Sequence, residues 1–218
     1  KKTIKNHGPT HSQASPTYPL FEHQIKAISR VANLFNKGEK RVLLHMPTGA
    51  GKTRSAMNLV CDTLRRNPGC VITWLAHSQE LLDQAAGEFE RAWQQLGNRK
   101  LPIVRFWGSA AKEDLEIDDG FIVAGLSKMN LLNTGDIHFL PPIAKKISLV
   151  VFDEVHQIVA PTYKNLAELL SSMNSDCKLL GLTATPGRSY SEIDEDKKLS
   201  TFFGVTNKVT LDIPGYSN

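Results

Sequence analysis

Seven short apolar runs punctuate the chain, at Val42–Met46, Val71–Ala76, Ile103–Trp107, Phe121–Leu126, Ile147–Phe152, Leu179–Leu182 and Val209–Ile213. Apolar and polar residues largely fail to alternate within them, as expected of strands covered on both faces. Helical spacing lies between several of these runs. Ala56, Leu59, Val60 and Leu64 follow the first, and Leu82, Ala85, Phe89, Trp93 and Leu96 follow the second. Strand, helix and strand repeated in this way predict an α/β fold, a mainly parallel sheet with helices on both faces. Ligands bind such sheets at the carboxyl ends of the strands. Upstream, Phe21, Ile25, Ile28, Ala32 and Phe35 predict a helix that Gly38 can end. Residues 1–17, with Gly8, Pro9, Ser12, Ser15 and Pro16, read as a polar arm or linker.

A chain of 218 residues, 41% hydrophobic and 22% charged, can bury a sizeable core as one large domain or two small ones. Its net charge of +4 permits a polyanionic partner without arguing for one. Cys61, Cys70 and Cys177 are odd in number and widely spaced, which indicates neither a zinc site nor a disulfide framework. They read as reduced, mostly buried thiols of a cytoplasmic protein, or a nuclear one in a eukaryote. No apolar run approaches the roughly 20 residues of a membrane span, and no signal peptide is visible. The chain starts at Lys1 and stops at Asn218 soon after a strand-like run, so both ends look like cuts in a longer protein.

The first run leads into Met46-Pro47-Thr48-Gly49-Ala50-Gly51-Lys52-Thr53, and a helical pattern follows. Glycines at 49 and 51 let the backbone curl until its N–H groups converge on phosphate oxygens. The positive end of the following helix adds to the attraction. Lys52 can reach the β- and γ-phosphates of a nucleotide, and the Thr53 hydroxyl can ligate Mg²⁺. The general phosphate-loop pattern has glycine where Met46 stands. Later in the chain, Asp153-Glu154-Val155-His156 sits at the end of an apolar strand. A strand-terminal Asp153 can hold the same Mg²⁺, and Glu154 can orient or deprotonate an attacking water.

With these two segments in place, the chain resembles the first RecA-like domain of a superfamily 2 helicase of the DEAD/DEAH-box type, over most of residues 18–213. Phosphate loops of that family commonly read Pro-Thr-Gly-x-Gly-Lys-Thr, which accounts for Met46. Leu20-Phe21-Glu22-His23-Gln24-Ile25-Lys26-Ala27 resembles the family segment whose glutamine recognises adenine. Leu75-Ala76-His77-Ser78-Gln79-Glu80-Leu81-Leu82-Asp83-Gln84 resembles motif Ia, and Val123-Ala124-Gly125-Leu126-Ser127 falls where motif Ib or Ic belongs. Gly181-Leu182-Thr183-Ala184-Thr185-Pro186 resembles motif III.

The resemblance implies ATP and Mg²⁺ as cofactors, with Thr48, Gly49, Ala50, Gly51, Lys52 and Thr53 around the phosphates. It implies that Gln24 pairs with the N6 and N7 edge of adenine, as amides do in DNA, with Phe21 or Tyr18 packed on the base. Lys52, Asp153, Glu154 and His156 become the catalytic set. Thr183 and Thr185 become the link to motif II, with His156 as partner; the alternative for His156 is a hydrogen-bonded core histidine. Ser78, Gly125 and Ser127 would follow a nucleic-acid backbone, with Lys128 as a nearby cation.

Three departures weaken that last expectation. The family often has Arg, Thr and Gln where Ser78, Gly125 and Ser127 stand, and each change removes a side chain that could reach phosphate or sugar. The motif Ia and motif III wording favours DNA over RNA as partner. The family also needs a second RecA-like domain, which supplies arginine fingers. Residues 214–218 read as the start of a linker to it, and hydrolysis by this chain alone is expected to be slow. Arg188 reads as structural or as a nucleic-acid contact. The alternative function is an ATP-binding switch that recruits a partner without moving along nucleic acid. A metabolic kinase is disfavoured, since no acceptor site or lid is visible.

Overall fold

The computed structural model describes residues 13–184, 190–204 and 206–211, with 190–196 as helical backbone only. Each of the seven apolar runs overlaps a strand: β1 (Arg41–His45), β2 (Val71–Ala76), β3 (Ile103–Phe106), β4 (Gly120–Gly125), β5 (Ile147–Phe152), β6 (Lys178–Thr183) and β7 (Lys208–Thr210). The helices are α1 (Glu22–Asn36), α2 (Lys52–Arg66), α3 (Gln79–Leu96), α4 (Leu126–Gly135), α5 (Leu140–Ala144), α6 (Pro161–Ser172) and α7 (Tyr190–Phe203). Several strand ends differ from the runs by a residue or more. Trp107 falls beyond β3, and Leu126 opens α4 instead of closing β4. Residues 212–213, expected in the last strand, lie outside the described residues.

All the pairings are parallel, and the sheet order is β3-β4-β2-β5-β6-β1-β7. The chain therefore travels toward one edge from β1 through β2 to β3, then toward the other edge from β3 through to β7. Crossovers between parallel strands share one hand, so reversing direction moves the covering helices to the opposite face. The two cores follow this division. One holds the buried faces of α1, α2 and α3, including Val31, Val60 and Phe89. The other holds those of α4, α5 and α6 with Leu199 and Phe203 of α7. Central strands buried on both faces explain the unbroken apolar runs: every residue of β2 is buried.

The reversal also creates crevices. β2 sends its chain to one face while its neighbour β5 sends its chain to the other, and β1 and β6 diverge in the same way. Ligand sites of open α/β sheets lie at such points. The three cysteines are buried and free, and burial pushes the thiols of Cys61 and Cys177 up to about 12, so both behave as core residues. Among the described residues, no helix is long and apolar enough to cross a membrane.

Candidate nucleotide site

The phosphate loop leaves the carboxyl end of β1 and enters α2 at Lys52. Gly49 and Gly51 have φ of 79° and 81°, a left-handed backbone that glycine adopts without strain. Ala50 closes the turn, its N–H bonding the Pro47 carbonyl at 3.1 Å. Ser55, one turn into α2, bonds back to the Gly51 carbonyl through both its N–H and its hydroxyl, each at 2.9 Å. At the head of the loop, the Met46 N–H donates to the Thr183 carbonyl at 3.0 Å, so motif III is anchored to the loop through its backbone.

Asp153 stands at the carboxyl end of β5, two strands from β1, and is buried. Burial pushes its carboxyl above the ordinary carboxylate range. The Lys52 charge opposes that rise, and the neighbouring Glu154 adds to it. The backbone of Glu154 is left-handed at φ 52°, the one such non-glycine residue among those described. Its N–H donates to Asp153 Oδ1 at 3.1 Å. The loop, Lys52, Thr53, Asp153, Glu154 and Ala184 line one cleft of about 440 Å³, closed on its far side by Leu81, Gln84 and Glu88 of α3. A larger groove of about 650 Å³ lies between α6 and α7, near Lys164 and Phe202, and carries none of these groups.

Gln24 takes a different position from the one the resemblance implies. It is buried at 2% exposure, and its amide faces inward. Nε2 donates to the Ala50 carbonyl at 3.0 Å, and Oε1 accepts from the Phe21 N–H at 3.0 Å, capping α1. Here the amide braces the phosphate loop. Phe21 is 71% exposed and stacks on His23, whose Nε2 also lies 3.2 Å from the Ala50 carbonyl. This exposed ring pair is the aromatic surface beside the loop. Tyr18 is not part of it. Tyr18 is buried, donates its hydroxyl to Glu88 at 2.5 Å and lies under the Arg54 guanidinium at 3.9 Å. Burial opposes ionisation of Glu88, yet the bonds from Tyr18 and Arg91 and the charge of Arg54 hold its carboxyl below the usual range.

His156 is exposed on the short 3-10 turn Val155–Val159, so it is not a core histidine. No hydrogen bond joins it to another described side chain, and Thr183 is buried at the end of β6. Thr185 and Arg188 lie outside the described residues. Ser78 caps α3, its hydroxyl accepting from the Leu81 N–H at 3.3 Å. Gly125 ends β4, and a β-carbon there would meet its neighbours only at ordinary contact distances. Ser127 lies 3.4 Å from the Tyr163 hydroxyl. Lys128 reaches back to the turn after β3. Its ammonium donates to the carbonyls of Gly108 and Ala110 at 2.7 and 2.6 Å and latches the turn after β3.

Sequence reasoning did not single out His77, whose Nδ1 lies 3.5 Å from Glu154 Oε2. Nor did it find Arg54, the one arginine on the cleft wall among the described residues. Arg54 is tied to the Pro19 carbonyl at 3.0 Å and to Glu88 at 3.4 Å. Adjacency of β2 and β5 brings the first pair together, and no local pattern encodes that adjacency.

Residues 17–188 match the family model described as Type III restriction enzyme, res subunit. A protein of Schizosaccharomyces pombe named as a putative mitochondrial ATP-dependent helicase, irc3, is 29% identical over 171 residues, covering 76% of this chain and 26% of that protein. The ATP-dependent DNA helicase Hel308 of Thermoplasma acidophilum is 28% identical over 173 residues, covering 77% of this chain and 23% of its own length. The chain thus spans about a quarter of the length of these two curated relatives. A crystal structure of a DEAD box protein from Methanococcus jannaschii superposes with a TM-score of 0.63 at 22% identity, covering 91% of this chain and 50% of that one, and shares the fold. The chain belongs to the family of the Type III restriction enzyme res subunit and has the RecA-like fold of the helicase domains it superposes on.

Proposed function

We propose that this domain binds and hydrolyses Mg-ATP to drive movement on nucleic acid, DNA in preference to RNA, together with a second RecA-like domain. The observation that carries the reading is the single cleft in which the phosphate loop, Lys52 and the Asp153-Glu154 pair face one another. The backbone N–H groups of residues 49–53 and the Lys52 ammonium bind the phosphates. The Thr53 hydroxyl and the Asp153 carboxylate fit a Mg²⁺ that takes its other ligands from phosphate and water. A buried carboxyl held above its ordinary range, facing Lys52, is the kind of group a cation returns to its charged form. Thr53 and Asp153 would thereby hold a charge able to offset that of a transferring phosphoryl group. Glu154 orients the attacking water and accepts its proton.

Arg54 is committed to Tyr18, Pro19 and Glu88. A transition-state arginine, worth roughly 10³–10⁵ in rate in related hydrolases, is therefore expected from the second domain. The preference for DNA rests on relatives that carry that word in their names. Both irc3 and Hel308 carry the word helicase in theirs, which lends the ATP-switch alternative no support. The test is ATP turnover by the full-length protein with and without single-stranded DNA or RNA. Stimulation by DNA supports the motor reading, and turnover indifferent to any nucleic acid contradicts it.

A further inference from the structure

β2 and β5 pair in register, Leu75 opposite Phe152, so the residues after their ends emerge side by side. The two chains then diverge to opposite faces of the sheet, His77 and Ser78 toward α3 and Glu154 toward the 3-10 turn and α6. In the crevice between them, His77 Nδ1 lies 3.5 Å from Glu154 Oε2, at the outer limit of hydrogen-bond distance. Both side chains remain partly open, at 40% and 36% exposure. The Glu154 carboxylate thus has the ATP cleft on one side and the β2–α3 turn on the other.

Glu154 is also held by its main chain. A left-handed backbone is unusual for glutamate and persists only where its surroundings enforce it. Its N–H is fixed on Asp153, so the carboxylate has a set origin and swings only through its side-chain torsions. An imidazole edge 3.5 Å from one carboxylate oxygen restrains that swing and stands where a water could otherwise approach that oxygen.

We infer that His77 is a positioning residue that restrains Glu154 in the resting domain, and that a nucleic-acid strand seated on the β2–α3 turn draws the imidazole away and releases the carboxylate. The inference rests on Glu154 being the group that activates water. It supplies a direct connection between the turn that resembles a nucleic-acid contact and the chemistry of the cleft, since Ser78 is the next residue and also caps α3. A strand phosphate offers the imidazole a competing acceptor, and its gain is the freed carboxylate.

The test uses the full-length protein, with steady-state ATP turnover measured with and without single-stranded DNA for wild type, His77→Leu, His77→Gln and Glu154→Gln. His77→Leu should raise kcat without DNA roughly fivefold, the scale of one close polar contact, with KM unchanged. Its ratio of stimulated to basal rate should shrink by the same factor. His77→Gln keeps a donor and should retain most of the wild-type ratio. A merely structural role would lower kcat or leave it alone, and either result in His77→Leu would overturn the inference. So would a wild type that DNA does not stimulate. Turnover surviving in Glu154→Gln would overturn the water-activating assignment beneath it, whereas a silent His77→Leu beside a dead Glu154→Gln would reject the role of His77 alone.

Discussion

The side-chain amide of Gln24 fills the space that a β-carbon on Gly51 would need. Gly51 is therefore required twice, once for its φ of 81° and once for the close approach of α1. Replacing it with alanine costs about 1–2 kcal/mol from the left-handed backbone alone. It also drives Gln24 off the Ala50 carbonyl. Gly51→Ala should reduce ATP affinity by more than tenfold in calorimetric titration, with a melting temperature several degrees lower.

Because the amide of Gln24 faces the loop, Gln24→Ala should weaken ATP and GTP to similar extents, within about threefold of each other. A loss confined to ATP would return Gln24 to the role of reading adenine, the pattern expected of a site whose buried groups match one base only. Competition binding with both nucleotides decides between the two.

The fold was legible because its signal is periodic and local. Val71–Ala76 and Ile147–Phe152 announce buried strands by composition, and the helical stripe from Leu82 to Leu96 announces the cover of one face. The phosphate loop was legible because backbone curl demands glycine at fixed spacing. What the sequence left out is contact between strand ends. Nothing near His77 indicates that its strand lies beside the one that ends in Asp153. Nor does anything near Lys128 indicate that two carbonyls after β3 wait for its ammonium. Gln24 shows the limit of the family pattern, which names a partner in the ligand and says nothing of the contact its amide makes with the loop.

Asp153→Asn should abolish turnover and stabilise the nucleotide-free chain. Burial raises the Asp153 carboxyl above its unfolded value, so its contribution to stability is present at low pH and is lost as pH rises through the raised value. The neutral amide removes that loss. At pH 7 the variant should melt higher, by about 2–4 °C for each kcal/mol recovered. The difference should shrink toward pH 4. Differential scanning calorimetry at the two pH values checks the sign.

Ser78→Arg and Lys128→Gln should separate two meanings of charge near the nucleic-acid side. The arginine adds a phosphate contact, so DNA affinity should rise at low salt. The slope of log affinity against log salt should steepen by about 0.7–0.9. Losing the Ser78 cap should cost about 1 kcal/mol of stability at the same time. Lys128→Gln frees the turn after β3, lowering stability by roughly 1–2 kcal/mol, and should leave the salt slope unchanged. Fluorescence anisotropy across a salt series, paired with thermal melts, measures both effects.

On the proposed reading, the loop after β1 and the acids after β5 form one Mg-ATP site. The most direct measurement is calorimetric titration of Mg-ATP into wild type, Lys52→Ala and Glu154→Gln, with turnover followed on the same samples. Lys52→Ala should lose affinity by at least about tenfold, as removal of a charge bonded to phosphate requires. Glu154→Gln should bind like wild type yet not turn over. Affinity unchanged by Lys52→Ala, or turnover undiminished in Glu154→Gln, would contradict it.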